Sequence, residues 1–178
     1  TGVQNCPAPD TRTVPVANEE CNKQGDSSYF RFDPVTCKCS PVTDCAVGKF
    51  RIDDQSAECL SCPMGTYTDQ TGTVKSCRSC TPGTASSAMG SSTCDDCKAG
   101  TFSARYGASA CQNCYPGSYA ENINADKCHL CDKGKYNELH GSRSKTACKA
   151  CAAGKYGVYA GARVEKYCHL CPGGQYQD

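Results

Sequence analysis

Residues 97–117 read CKAGTFSARYGASACQNCYPG, and the fold follows from the pattern in this stretch. A cysteine is followed by glycine three residues later and by an aromatic two residues after that. A small polar loop then leads to Cys-x-x-Cys, whose second cysteine opens the pattern again. Working outward in both directions, registers open at Cys45, Cys62, Cys80, Cys97, Cys114, Cys131, Cys151 and Cys171, at intervals of 17, 18, 17, 17, 17, 20 and 20 residues. All eight keep the glycine: Gly48, Gly65, Gly83, Gly100, Gly117, Gly134, Gly154 and Gly174. Seven keep the aromatic, as Phe50, Tyr67, Phe102, Tyr119, Tyr136, Tyr156 and Tyr176, and the third register has Ala85 instead. Self-similarity at a nearly fixed period marks a tandem-repeat architecture.

Composition points the same way. The 178 residues include 19 cysteines, about 11%, above the roughly 8–10% typical of disulfide scaffolds. Leu, Ile, Val and Phe together also number 19, and there is no Trp, so the chain cannot build the aliphatic core of an ordinary globular enzyme. A net charge of +1 with this many cysteines excludes a disordered chain. Disulfides must staple the fold, which points to an oxidising, extracellular setting. No apolar run approaches the roughly 20 residues of a membrane span, and there is no Asn-x-Ser/Thr sequon. The opening Thr-Gly-Val fits a processed piece of a secreted precursor.

Each register predicts two short strands joined by a polar loop, and helical periodicity is absent. Glycine at one fixed place suggests a backbone needing positive φ or close approach. Pro82 and Pro116 precede it in two registers, as in turns. The aromatic is the one large apolar surface per unit and is expected to pack on a disulfide or on the next unit. The longer registers have longer loops, such as Asn137 to Ala147, with room for a short turn. A disulfide closing a loop of about 15 residues contributes roughly 3 kcal/mol, far less than the entropy of ordering the unit. The units must therefore support one another in a quasi-one-dimensional rod, each touching mainly its neighbours. The fold class expected is small, disulfide-rich and mostly β, an elongated tandem-repeat rod without an aliphatic core.

Spacing leaves the disulfide connectivity open. In one scheme each register closes on itself: Cys45–Cys59, Cys62–Cys77, Cys80–Cys94, Cys97–Cys111, Cys114–Cys128, Cys131–Cys148 and Cys151–Cys168. In the other, each Cys-x-x-Cys closes its own small ring. The first is preferred because the second leaves the long loops unstapled. It leaves Cys171 without a partner, opening a register that the sequence does not close, with a bridge to another subunit as the alternative. Residues 1–44 differ in kind from the array of residues 45–178. They hold Cys6, Cys21, Cys37 and Cys39 and an alternating run, Tyr29-Phe30-Arg31-Phe32, that reads as one strand of a hairpin. A crossed pairing, Cys6–Cys37 with Cys21–Cys39, is expected here, since a direct Cys37–Cys39 bridge would be strained. The Cys-x-Cys element resembles the end of an epidermal-growth-factor-like module.

The registers themselves, with Cys-x-x-Gly-Thr-Tyr, a loop and Cys-x-x-Cys, resemble ephrin-receptor-like repeats of the growth-factor-receptor cysteine-rich class. They are also similar to the first sub-module of tumour necrosis factor receptor ectodomains. The resemblance covers residues 45–178. It implies that each opening cysteine pairs with the next one, and that the product is an extracellular, elongated, mostly β ladder. The chain lacks the interleaved double-disulfide sub-module of tumour necrosis factor receptors.

Other chemistries find little support in the residues. Cys-x-x-Cys spacing approaches that of zinc ribbons, but the uniform glycine and aromatic have no role there. His129 and His169 sit in identical Cys-His-Leu-Cys elements with His140 between them, and read as solvent-facing residues of duplicated units. Asp53-Asp54 and Asp95-Asp96 lack calcium-loop spacing. The Ser/Thr-rich loops Thr66 to Ser76 and Thr81 to Thr93 are candidate O-glycan carriers. Basic residues outnumber acidic ones only after residue 126, a polarity suited to head-to-tail association. No groove-reading motif supports nucleic-acid binding. The expectation is thus a non-enzymatic extracellular structural or adhesive rod without a cofactor, in a coat, stalk or filament such as a flagellar-hair-type polymer. Its partners would be copies of itself or further repeats. The alternative is a ligand-binding receptor ectodomain.

Overall fold

The computed structural model describes residues 30–33, 38–41, 44–52, 58–72, 74–173 and 175. The expected pairing of Cys6, Cys21, Cys37 and Cys39 lies outside the described residues, as do Gly174 and Tyr176. The chain is mostly β, a ladder of two-stranded antiparallel sheets stacked into a rod. An N-terminal hairpin pairs β1 (Phe30–Asp33) with β2 (Lys38–Pro41). Seven further hairpins follow, one per repeat: β3 (Lys49–Phe50) with β4 (Leu60–Ser61), β5 (Thr66–Tyr67) with β6 (Arg78–Ser79), β7 (Thr84–Ala85) with β8 (Asp95–Asp96), and β9 (Thr101–Phe102) with β10 (Gln112–Asn113). The last three are β11 (Ser118–Tyr119) with β12 (His129–Leu130), β13 (Lys135–Tyr136) with β14 (Lys149–Ala150), and β15 (Lys155–Gly157) with β16 (Cys168–Leu170). Repeats 1 to 7 are numbered here from their opening cysteines: 45–61, 62–79, 80–96, 97–113, 114–130, 131–150 and 151–170.

The local reasons lie in the sequence. The residues between the two cysteines of each Cys-x-x-Cys form the second strand of the hairpin, facing the residue after the glycine and the aromatic: Tyr67 pairs with Arg78, Tyr119 with His129 and Tyr156 with His169. The first strand is aimed by a tight turn. In repeat 3, Pro82 fixes its own φ, Gly83 has φ +87° and the Thr84 N–H donates to the Thr81 carbonyl at 3.0 Å, which is a type II turn. The Thr84 hydroxyl donates to the same carbonyl at 2.8 Å, and Thr66, Thr101 and Ser118 repeat this bond in their own turns. The three extra residues of the last two repeats form the 3-10 turns η1 (Lys145–Ala147) and η2 (Glu165–Tyr167). In η1, Ser144 caps the Thr146 N–H.

The core is a narrow spine. Cys45, Cys62, Cys80, Cys97, Cys114 and Cys131 are buried to 1% exposure or less. Beside them, six residues after each opening cysteine, lie Arg51, Thr68, Ser86, Ser103, Ala120 and Asn137, also buried. The aromatics Phe50, Tyr67, Phe102, Tyr119, Tyr136 and Tyr156, expected to pack on a disulfide or on the next unit, are half-buried. They lie across the strand pair, where one face meets water, and the spine is filled by sulfur and small polar groups instead.

Candidate interaction surface and the joints that position it

Each opening cysteine bonds to the cysteine that closes its own register: Cys45–Cys59, Cys62–Cys77, Cys80–Cys94, Cys97–Cys111, Cys114–Cys128, Cys131–Cys148 and Cys151–Cys168, with Cα–Cα distances of 5.5–5.8 Å. Cys171 is free and half-buried. Its N–H donates to the Gly154 carbonyl at 2.9 Å, the bond every other opening cysteine from Cys62 onward makes to the preceding repeat.

That bond is one of four that recur at each of the six joints between repeats. At the joint of repeats 2 and 3, the Gly65 N–H donates to Ser86 O at 2.8 Å and the Cys80 N–H donates to Gly65 O at 2.9 Å. The Thr68 N–H donates to Ser91 O at 3.2 Å, and the Gly90 N–H donates to Cys62 O at 2.7 Å. The same four connect Gly117, Asn137, Ala120, Ser142, Cys131, Gly141 and Cys114 at the joint of repeats 5 and 6. Backbone groups along the spine are thereby paired out of reach of water.

The fourth bond involves a second glycine that the sequence reading passed over: Gly72, Gly90, Gly107, Gly141 and Gly161, ten residues after the opening cysteine, with Asn124 at that place in repeat 5. The signal was present as a glycine at a fixed offset in five repeats. Asn124 has φ +62°, a left-handed conformation that asparagine tolerates better than most residues. The second-glycine turn also reaches two repeats back. A β-carbon on Gly48, Gly65, Gly83, Gly100 or Gly117 would overlap the backbone at Gly90, Gly107, Asn124, Gly141 or Gly161 respectively. Units therefore touch mainly their neighbours, as expected, and their next-but-one neighbours as well.

The buried polar residues hold this turn in place. The Asn137 Nδ2 donates to Ser142 Oγ at 2.8 Å and to Ser118 O at 3.2 Å, while its Oδ1 accepts the Leu139 N–H at 3.1 Å. Ser86 Oγ bonds Ser91 Oγ at 2.6 Å, and Ser103 Oγ donates to Arg105 O at 3.4 Å.

The turn presents the residue just before the second glycine to solvent. In repeats 3 to 6 these are Met89, Tyr106, Ile123 and His140, all exposed. Because the second-glycine N–H is bonded to the opening cysteine of the preceding repeat, this residue stands beside the one that follows that cysteine. Accordingly the His140 ring meets the Tyr115 ring edge-on, centroids 6.3 Å apart. His129 and His169 lie across their hairpins from Tyr119 and Tyr156, at 5.8 and 6.0 Å. Among the described residues no group of three or more His, Cys, Asp or Glu could hold a metal ion, and no helix is long and apolar enough to cross a membrane. The loop of repeat 5 encloses an open concavity of about 310 Å³, lined by residues 120–127 and His129. Its Glu121 carboxylate accepts the Lys145 N–H at 2.8 Å.

A family model described as tyrosine-protein kinase ephrin type A/B receptor-like matches residues 48–91 and 117–168, more than half of the chain. No curated protein matches. The matched stretches contain the turn glycines Gly48, Gly65, Gly83, Gly117, Gly134 and Gly154 and the Cys-x-x-Cys elements 59/62, 77/80, 128/131 and 148/151, and repeat 4 lies between them. The chain therefore belongs to the ephrin type A/B receptor-like family, and its disulfide-rich tandem repeats are of the extracellular receptor type.

Proposed function

We propose that this protein is a non-enzymatic structural or adhesive rod at the cell surface, forming part of a coat, stalk or filament. Residues 45–178 serve as one continuous array and residues 1–44 as a separate segment. The observation that carries the reading is the four-bond joint, repeated without exception between Cys45 and Cys171. Such repetition makes stability a sum of like interfaces and resists bending at any one of them. The partners proposed are further repeats or copies of the same chain, with O-glycans on the Ser/Thr-rich loops.

Rotary-shadowed electron microscopy and small-angle scattering test this reading. Arrays of different repeat number should give rods whose length rises in proportion to repeat number, and compact particles would overturn it. A second reading, a ligand-binding receptor ectodomain, is favoured by the exposed large side chains before the second glycines. Imaging of native surface material separates the two, because a structural rod is found in ordered fibres or coats and an isolated receptor is not.

A further inference from the structure

We propose that Met89, Tyr106, Ile123 and His140 form a homodimer interface on which a second copy of this chain docks antiparallel. The inference rests on the rod reading above and adds the partner, the face and the orientation.

The slot before the second glycine holds Thr71 in repeat 2 and Ala160 in repeat 7, so the joint itself does not require a large side chain there. In the four repeats between, the slot is filled by large residues: Met89, Tyr106 and Ile123 are 67%, 72% and 63% exposed. Tyr115, 55% exposed, joins the row through its edge contact with His140. Single exposed apolar residues are ordinary, but a contiguous row of them marks an interaction site. The same four-bond joint links repeats 3 to 6, so one constant step along the rod carries each of the four positions to the next. A tyrosine buries roughly 150–250 Å² when covered, and Met89 and Ile123 are somewhat smaller. At the exposures given, Met89, Tyr106, Ile123 and Tyr115 offer on the order of 500 Å², more than half of the roughly 800 Å² per partner of a stable interface. A two-fold interface is self-complementary, so one row on each copy suffices.

Charge selects the orientation. The midpoint of the row falls between Tyr106 and Ile123. A two-fold axis there sets repeat 3 of one copy against repeat 6 of the other, and repeat 4 against repeat 5. Repeat 3 carries Asp95 and Asp96 and no Lys or Arg. Repeat 6 carries Lys133, Lys135, Arg143, Lys145 and Lys149 against Asp132 and Glu138. Repeat 4 carries Lys98 and Arg105 with no acid, while repeat 5 carries Glu121 and Asp126 against Lys127. Both pairings join opposite charges, whereas a parallel in-register dimer would set each repeat against its own charge.

The test is sedimentation equilibrium of the full chain with Cys171 alkylated, so that no covalent dimer forms. A monomer–dimer equilibrium in the micromolar range is expected, weakened at least tenfold by Tyr106→Glu or Ile123→Glu. Asp95→Lys with Asp96→Lys should weaken it similarly, and adding Lys133→Glu and Arg143→Glu to that chain should restore it. A benzoylphenylalanine photo-crosslinker in place of Met89 should attach to the peptide of residues 136–143 of the other copy. A chain that stays monomeric at about 500 µM, a dimer indifferent to Ile123→Glu, or crosslinking from position 89 to the same region of the other copy would each overturn the proposal. Small-angle scattering of the Ile123→Glu chain reads the rod separately. An elongated monomer leaves the rod reading standing when the dimer fails, and a compact one removes both.

Discussion

Gly65 and Gly107 lie two repeats apart in sequence yet face each other so closely that a β-carbon on Gly65 would come 2.7 Å from the Gly107 carbonyl carbon. Gly134 has the same kind of backbone, with φ +77° against +81° for Gly65, but no atom within 4 Å of its added β-carbon. The pair separates the two reasons for a glycine at this place, the backbone conformation and the close approach of another turn.

Gly134→Ala should therefore lose only the conformational term, about 1–2 kcal/mol. Gly65→Ala should lose that and displace the Gly107 turn, adding about 1–3 kcal/mol. Guanidinium unfolding of both variants, with hydrogen exchange of repeats 2 and 4, checks this. Equal losses would mean that the contact between next-but-one repeats carries no energy.

Asn137 is buried to 1% exposure and makes three hydrogen bonds. Asn137→Leu should cost about 2–4 kcal/mol, because it removes these bonds and leaves Ser118 O and the Leu139 N–H to find other partners. The expected sign of local damage is faster amide exchange from Leu139 to Ser142, measured by mass spectrometry, with repeats 1 and 2 unchanged.

Removing one staple should not stay local. Cys97→Ser with Cys111→Ser opens the loop of repeat 4 and should cost about 2–5 kcal/mol. Repeats 3 and 5 each lean on repeat 4 through four backbone bonds, so their amides should lose protection as well. Loss of protection confined to residues 97–113 would show that the joints are weaker than their geometry implies.

Asn124 is the one described non-glycine residue at positive φ. Asn124→Gly should hold stability within about 0.5 kcal/mol, since both residues tolerate the left-handed region. Asn124→Ala should cost about 1–2 kcal/mol. Thermal unfolding of the two variants side by side makes the comparison.

Lys145 Nζ lies 3.1 Å from Asp132 Oδ2. The hydrogen bond from Lys145 to Asp132 and the carboxylate's charge raise the lysine's pKa above its ordinary value. With the folded value raised, the contribution to stability is complete below the ordinary lysine range and is lost as pH rises through the raised value. Nuclear magnetic resonance titration of the Lys145 side chain should show it deprotonating above the ordinary lysine range, and Asp132→Asn should bring it back down. Both groups are exposed, so added salt should shrink the difference.

How much of this could be read in advance varies by residue. The hairpins were legible because Cys-x-x-Cys confines the second strand to two residues, and Gly-x-aromatic confines the first. Gly90 and Gly107 were as regular as Gly83 and Gly100, yet their role was hidden, because a glycine in a polar loop looks the same whether it meets water or another backbone. Tyr67 and Tyr119 were expected to pack on a disulfide or on the next unit. They are only half-buried, since a two-stranded hairpin has one wet face and the spine beside the cysteines admits only short side chains such as Thr68, Ser86 and Ser103. Arg51 is the exception, lying along the spine with its Nη2 3.7 Å from the Cys59 sulfur.

Period, class of fold and the division into short β-units were thus already contained in the order of residues, because they depend on contacts within about 20 residues and on the chemistry of cysteine and glycine. Which groups are buried along the spine, which glycines meet across two repeats, and which side chains stand exposed before the second glycines became visible only in the folded stack. These depend on residues 20 to 44 positions apart, and no local pattern records that separation.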